Sequence, residues 1–207
     1  MKLMHTALGF LVVGLAGLSV PDVAQAAPGS PWSIGGTLGI SPTGKFKVEF
    51  GDDTFTADTA TAVGLGGLLE YRVNRNVAIG FAPNLIFGVK GQDDDESGTQ
   101  LDLPLRIAVG GPVAPKVRLY GFVSPGYSVL FSPDRVDDQT GFGNPSGFML
   151  GFGGGAGFRV GRNLTLTTEL GYQFRWLSTD IETVIGTLNV PVEVNYLTFG
   201  IGIVAGI

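Results

Sequence analysis

The stretch Gln100-Leu101-Asp102-Leu103-Pro104-Leu105-Arg106-Ile107-Ala108-Val109 decides the fold. Leu101, Leu103, Leu105, Ile107 and Val109 fall on one side of an extended chain, while Gln100, Asp102, Pro104, Arg106 and Ala108 fall on the other. A period of two is the side-chain period of a β-strand, and this run keeps it without exception. The pattern recurs. Val63, Leu65, Leu69, Tyr71 and Val73 oppose Gly64, Gly66, Glu70 and Arg72. Val77, Ile79, Phe81, Leu85, Phe87 and Val89 oppose Ala78, Gly80, Ala82, Asn84 and Gly88. Leu164, Leu166, Leu170, Tyr172, Phe174 and Trp176 oppose Thr165, Thr167, Glu169, Gly171, Gln173 and Arg175. Trp32–Ser41, Val117–Phe131, Phe148–Val160 and a last segment from about Val194 to Ile207 alternate similarly, with Tyr120 and Phe122 as bulky exceptions on the small-residue side.

These eight segments are separated by alternately short and long connections. Asn74-Arg75-Asn76, Gly110 to Lys116 and Gly161-Arg162-Asn163 are short, and their Asn and Gly residues suit tight hairpins. The long ones run roughly over 42–58, 90–98, 132–146 and 179–191. In nearly every strand the bulky residues share one face, and Gly, Ala, Ser and Thr with scattered charges share the other. A soluble sandwich would turn the apolar faces into a shared core. A narrow closed barrel in a membrane does the reverse: it shows the apolar face to lipid and keeps small and polar side chains for an interior that eight strands leave barely wide enough. The 34 glycines among 207 residues then have a cause.

Composition removes competing classes. With no cysteine there is no disulfide scaffold, thiol nucleophile or cysteine metal site. A net charge of −5 argues against a nucleic-acid partner. Mean hydropathy is +0.30, yet beyond the first segment no run approaches the ~20 apolar residues of a spanning helix. Residues 1–26 have a basic start at Lys2, an apolar stretch from Ala7 to Val20 and the small-residue site Ala24-Gln25-Ala26, the layout of a secretory signal peptide. Cleavage after Ala26 would leave residues 27–207 as the barrel domain and remove His5, the single histidine.

A leader, eight alternating segments, three short turns and four long loops together resemble the small eight-stranded outer-membrane barrels of Gram-negative bacteria, the OmpA/OmpX-like group. The resemblance covers residues 27–207 and rests on architecture. It implies an all-β, closed, antiparallel up-and-down transmembrane barrel with short periplasmic turns and long extracellular loops, exported to the outer membrane and most often monomeric. Outer-membrane lipid and lipopolysaccharide are the partners it implies. Such barrels commonly finish on an aromatic residue, whereas this chain ends at Ile207, and no peptidoglycan-binding domain is expected after it. Enzymes of similar barrel size generally use histidine for proton transfer, and a chain without His5 offers none, so neither a catalytic residue nor a cofactor is assigned.

Charge supports the same orientation. Thirteen acidic residues, among them Asp93, Asp94, Asp95, Glu96, Asp134, Asp137 and Asp138, lie in the long connections against four basic ones, a balance of −9. The short turns hold Arg75, Lys116 and Arg162. The acidic runs either recruit divalent cations that bridge lipopolysaccharide phosphates or simply keep the loops solvated. Loops one and four alternate locally around Gly51 and Gly186. They are read as solvated hairpins projecting past the bilayer, or else as a sheet edge for a surface protein.

Two glycine motifs fail on context. Gly39 to Lys45 spells a phosphate-loop pattern but continues into Phe46, without the hydroxyl that would hold magnesium, and Gly151-Phe152-Gly153 lies inside an alternating strand. The charged residues of the small-residue face are Glu70, Arg72, Asp102, Arg106, Arg118, Arg159, Glu169 and Arg175. They are expected to form a polar plug of paired charges, since unpaired buried charge is costly. The alternative is a narrow channel in which those charges select ions or small solutes. Arg72, Arg118 and Arg159 lie close enough to the periplasmic rim to reach water.

Overall fold

The computed structural model describes residues 31–50, 53–90, 97–131, 144–183 and 186–207. The expected leader, the run Asp93–Glu96 and the acidic residues Asp134, Asp137 and Asp138 lie outside them. Ten strands are formed: β1 Trp32–Phe50, β2 Asp53–Asp58, β3 Ala62–Arg72, β4 Val77–Phe81, β5 Asn84–Val89, β6 Gly98–Ala114, β7 Val117–Phe131, β8 Ser146–Arg159, β9 Leu164–Thr183 and β10 Gly186–Gly206. All pairings are antiparallel, and β1 pairs with both β10 and β3. The sheet therefore closes into a ring of eight, with β4 and β5 end to end in one position and β2 outside the ring on β1. Closure satisfies the backbone groups that lipid cannot. Among the described residues no helix is long and apolar enough to cross a membrane.

The alternation survives in three dimensions. Leu103, Leu105 and Ile107 are exposed on the outer wall, whereas Gln100, Asp102, Arg106 and Ala108 are buried. Trp32, Tyr71 and Phe158 lie on the outer face at the short-turn end, and Phe87, Tyr127, Phe131, Phe148 and Trp176 at the other, as two aromatic girdles require. In the first short turn Asn74 Oδ1 accepts from the N–H groups of Asn76 (2.8 Å) and Val77 (2.9 Å), which is how an asparagine closes a tight connection.

Two boundaries differ from the sequence reading. The segment 77–89 is interrupted at Ala82-Pro83, because Pro83 has no N–H to give to a ladder. Neighbouring strands absorb the freed groups: Ala82 N donates to Pro104 O (3.1 Å), and Pro83 O accepts from Gly67 N (2.8 Å). The connection expected over 110–116 shrinks to Pro115-Lys116. The hairpins expected in loops one and four form: most of 42–58 and 179–191 is strand, giving a sheet of β2, β1, β10 and β9 that rises beyond the rest of the described wall.

The largest correction concerns what that rising sheet covers. One-residue bulges occur between Ile40 and Thr43 on β1 and between Phe87 and Val89 on β5. Each reverses the inside-outside parity of its strand above that level. Gly88 makes the second one possible, with a φ of +78° that a side chain disfavours. Val89, expected on the lipid face, is instead 6% exposed and faces inward. It joins Ala62, Ile86, Leu130, Leu177, Val192, Val194 and Tyr196 in the hydrophobic core, and Phe46 and Val48 pack against it. An apolar cap thus sits inside the extracellular mouth, on the inner face of the projecting hairpins, and the sequence reading did not anticipate it.

Candidate functional site: the polar lumen

Beneath the cap lies a first polar layer. Arg175 on β9 has no solvent exposure and Asp102 on β6 only 1%. Their pairing is bidentate: Arg175 Nε donates to Asp102 Oδ1 (3.2 Å) and Nη2 to Oδ2 (2.6 Å). Gln100 Nε2 donates to the same carboxylate (2.8 Å), Gln173 Oε1 accepts from Arg175 Nη2, and the guanidinium lies 5.1 Å from the Tyr196 ring centre. A fork donating twice to one carboxylate fixes geometry as well as energy. The apolar ceiling above it makes separation of the pair expensive.

One layer down, Arg106 on β6 crosses to Glu169 on β9, donating from Nη1 to Oε2 (3.1 Å) and from Nη2 to Oε1 (2.6 Å). Tyr120 Oη donates to Glu169 Oε1 (2.7 Å), and the Arg106 guanidinium lies 4.1 Å from the centre of the Phe122 ring. The two inward aromatics therefore hold this layer in place. Glycines make room for them. A Cβ on Gly155 would stand 2.7 Å from Tyr120 Cζ and one on Gly153 2.8 Å from Phe122 Cζ, so the glycine run of β8 is the bed on which both rings lie.

Between the two layers is a cavity of about 120 Å³ that both Asp102 and Arg106 line, together with Asn84, Ser124, Thr167 and Gln173. At about 30 Å³ per water, roughly four would fill it, and its polar walls give them partners. Below it, Glu70, Arg72, Arg118 and Arg159 occupy the periplasmic end. Arg118 Nη2 makes two long contacts, 3.4 Å each, to the carbonyl oxygens of Asn76 and Gly110, and Arg159 is exposed at the rim. The eight inward charges are thus sorted: four form two crossed pairs, and four gather at the short-turn end. Gln100, Gln173, Tyr120 and Tyr196 belong to the same network but carry no charge to single them out in a sequence. Among the described residues no cluster of His, Cys, Asp and Glu is arranged to hold a metal.

A family model described as the outer membrane protein beta-barrel domain matches residues 10–204. The chain belongs to this family. Outer-membrane barrels of known structure share its fold at low sequence identity. Neisserial surface protein A is 13% identical, with a TM-score of 0.51 over 87% of this chain and 100% of its own. OprG from Pseudomonas aeruginosa is 13% identical, with a TM-score of 0.54 over 86% and 99%. AlkL, solved in lipid bilayers, is 14% identical, with a TM-score of 0.52 over 92% and 98%. None of the curated protein sequences matches the chain. Family membership places this outer-membrane barrel in the Gram-negative outer membrane, with lipid against its exposed Leu, Ile and Phe side chains.

Proposed function

We propose that this outer-membrane barrel works at its outer surface rather than through its lumen: a monomeric, non-catalytic, closed barrel that presents acidic hairpins to the environment. The observation that supports this reading is the pair of crossed ion pairs beneath a core of packed apolar side chains. A conducting path would have to open both pairs and displace the cap. The rising sheet supplies a surface for the proposed contact. On β2, Asp53 to Asp58 are all exposed, Phe55 to 62%, and the strand edge away from β1 has no ladder partner among the described residues. An extended segment of a surface protein could add to that edge, and the acidic connections could engage lipopolysaccharide through divalent cations.

A narrow channel for ions or small solutes is the second reading, and the polar cavity between the pairs is what favours it. Planar-bilayer recording separates the two. The closed barrel is expected to show no sustained openings, and openings that change in Arg106→Ala or Glu169→Ala would overturn it. Export by the leader is tested by N-terminal sequencing of the protein from outer membranes, which is expected to begin at Ala27.

A further inference from the structure

We infer that the periplasmic mouth of the barrel is a binding site for a phosphate-type oxyanion, held by Arg72 and Arg118 with Arg159 at its rim. The three side chains come from different strands. Arg72 ends β3, Arg118 is the second residue of β7, and Arg159 ends β8, all on the inward parity at the short-turn end. Arg118 pairs with Pro112 on β6 and with Gly157 on β8, and Gly110 and Gly111 place no side chain in its way. It therefore reaches across β6 to Asn76 O in the turn that follows Arg72.

Charge at this mouth does not balance. Among the described residues Glu70, on β3 two positions before Arg72, is the single inward carboxylate at this end. Three guanidiniums against one carboxylate leave an excess of two positive charges, while the layers above are paired one to one. Hydrogen bonding is equally incomplete. The Nε groups of Arg72 and Arg118 are both buried and without a partner, as are Arg106 Nε and Arg175 Nη1 above, but Arg106 and Arg175 each donate to a carboxylate, whereas among the described residues neither Arg72 nor Arg118 is in an ion pair and the side-chain bonds of Arg118 are the two long ones. Donors withdrawn from water and left unmade are costly, and a guanidinium in that state is matched by an acceptor carrying negative charge on several oxygens. A phosphate group has the charge and the oxygen fork that two arginines fit, which an ammonium pair would not. Trp32, Tyr71 and Phe158 set this end at a membrane interface, so the same phosphate chemistry can arrive as the free ion or as the headgroup of a periplasmic-leaflet lipid.

The test uses the full mature barrel in maltoside micelles, which contain no phosphate, and follows the arginine Nε–H resonances by NMR. One arm adds inorganic phosphate; the other adds phosphatidylglycerol. Saturable shifts at Arg72 and Arg118 are expected in at least one arm, the first identifying a soluble oxyanion and the second a lipid headgroup. Arg72→Gln or Arg118→Gln should weaken binding about ten-fold or more, the scale of one charge-assisted hydrogen bond. Arg162→Gln, which removes a cation from the β8–β9 turn outside the mouth, should change it less than about two-fold. Heat-dependent gel migration confirms that each variant is folded, and the wild-type titration decides the question even if one is not. No saturable shift in either arm, or equal weakening by Arg162→Gln, would overturn the site.

Discussion

The two ends of the lumen solve the same problem in opposite ways. At the extracellular end Arg175 is wholly removed from water, paired with Asp102, braced by Gln100 and Gln173 and roofed by Val192, Val194 and Ile86. At the periplasmic end the contacts of Arg118 among the described residues are two long ones to carbonyls, and Arg159 is exposed to solvent. The difference shows that inward parity alone does not specify how a barrel charge is stabilised. What decides is whether the wall above it is apolar, so that the charge must be paired within the protein, or open, so that water or an external ion can serve.

The strongest way to break this comparison is to orphan the upper arginine. Asp102→Ala is expected to destabilise the barrel by about 3–5 kcal/mol in urea unfolding from lipid vesicles, because a buried guanidinium loses its counter-charge. Combining Asp102→Leu with Arg175→Met should recover most of that loss, since a matched apolar pair has no charge to satisfy. Arg159→Gln at the lower rim should cost less than about 0.5 kcal/mol. Similar losses at the two ends would dissolve the distinction. Next in size, Ile86→Ala is expected to cost about 2–4 kcal/mol, the usual penalty for a large-to-small change in a packed core. A value near zero would mean that the cap is loosely packed and the mouth effectively open.

The outline of the barrel was legible because lipid imposes a strict period of two, and segments such as Gln100 to Val109 carry it undisturbed. The burial of Asp102, Arg106 and Arg175 was legible for the same reason. What was not legible was the cap. It depends on the bulges at Ser41-Pro42 and Gly88, and a one-residue insertion shifts every later side chain to the other face without altering composition. Val89 continues the outward series of its strand in sequence and leaves it in space. The pairing of Arg175 with Asp102 and of Arg106 with Glu169 was likewise hidden, since parity places all four inside without fixing their depth. Depth comes from register across β6 to β9, and a single strand does not contain it. Tyr120 and Phe122, which break the small-inside rule, turned out to be the support of the middle layer, with Gly153 and Gly155 as the visible trace of their presence.

A smaller effect sharpens the comparison from inside the cap. The Tyr196 hydroxyl is buried without a hydrogen-bond partner, although its ring packs against Arg175. Removing an unpartnered polar atom leaves nothing unsatisfied, so Tyr196→Phe should be neutral or slightly stabilising, within about 0.5 kcal/mol. A clear destabilisation would show that the hydroxyl holds a water and that the cap is wetter than its side chains imply.

The smallest effect is expected just above the cap, where solvent returns. Lys47 on the rising part of β1 donates to Glu49, and both side chains are partly exposed. The hydrogen bond to Glu49, with a further contribution from the charge of Glu193, holds the Lys47 ammonium above its ordinary value of 10.5. A raised lysine value means that the favourable interaction is fully present at pH below 10.5 and is lost as the pH climbs through the higher folded-state value. NMR titration of the Lys47 side chain is therefore expected to give a midpoint above 10.5 that falls toward it in Glu49→Gln. Because the pair is solvated and screened, the same substitution should leave the urea midpoint of the whole barrel unchanged at neutral pH. If the midpoint dropped, the hairpin charges would be coupled to the buried pair below, and the cap would no longer separate that pair from the wet surface.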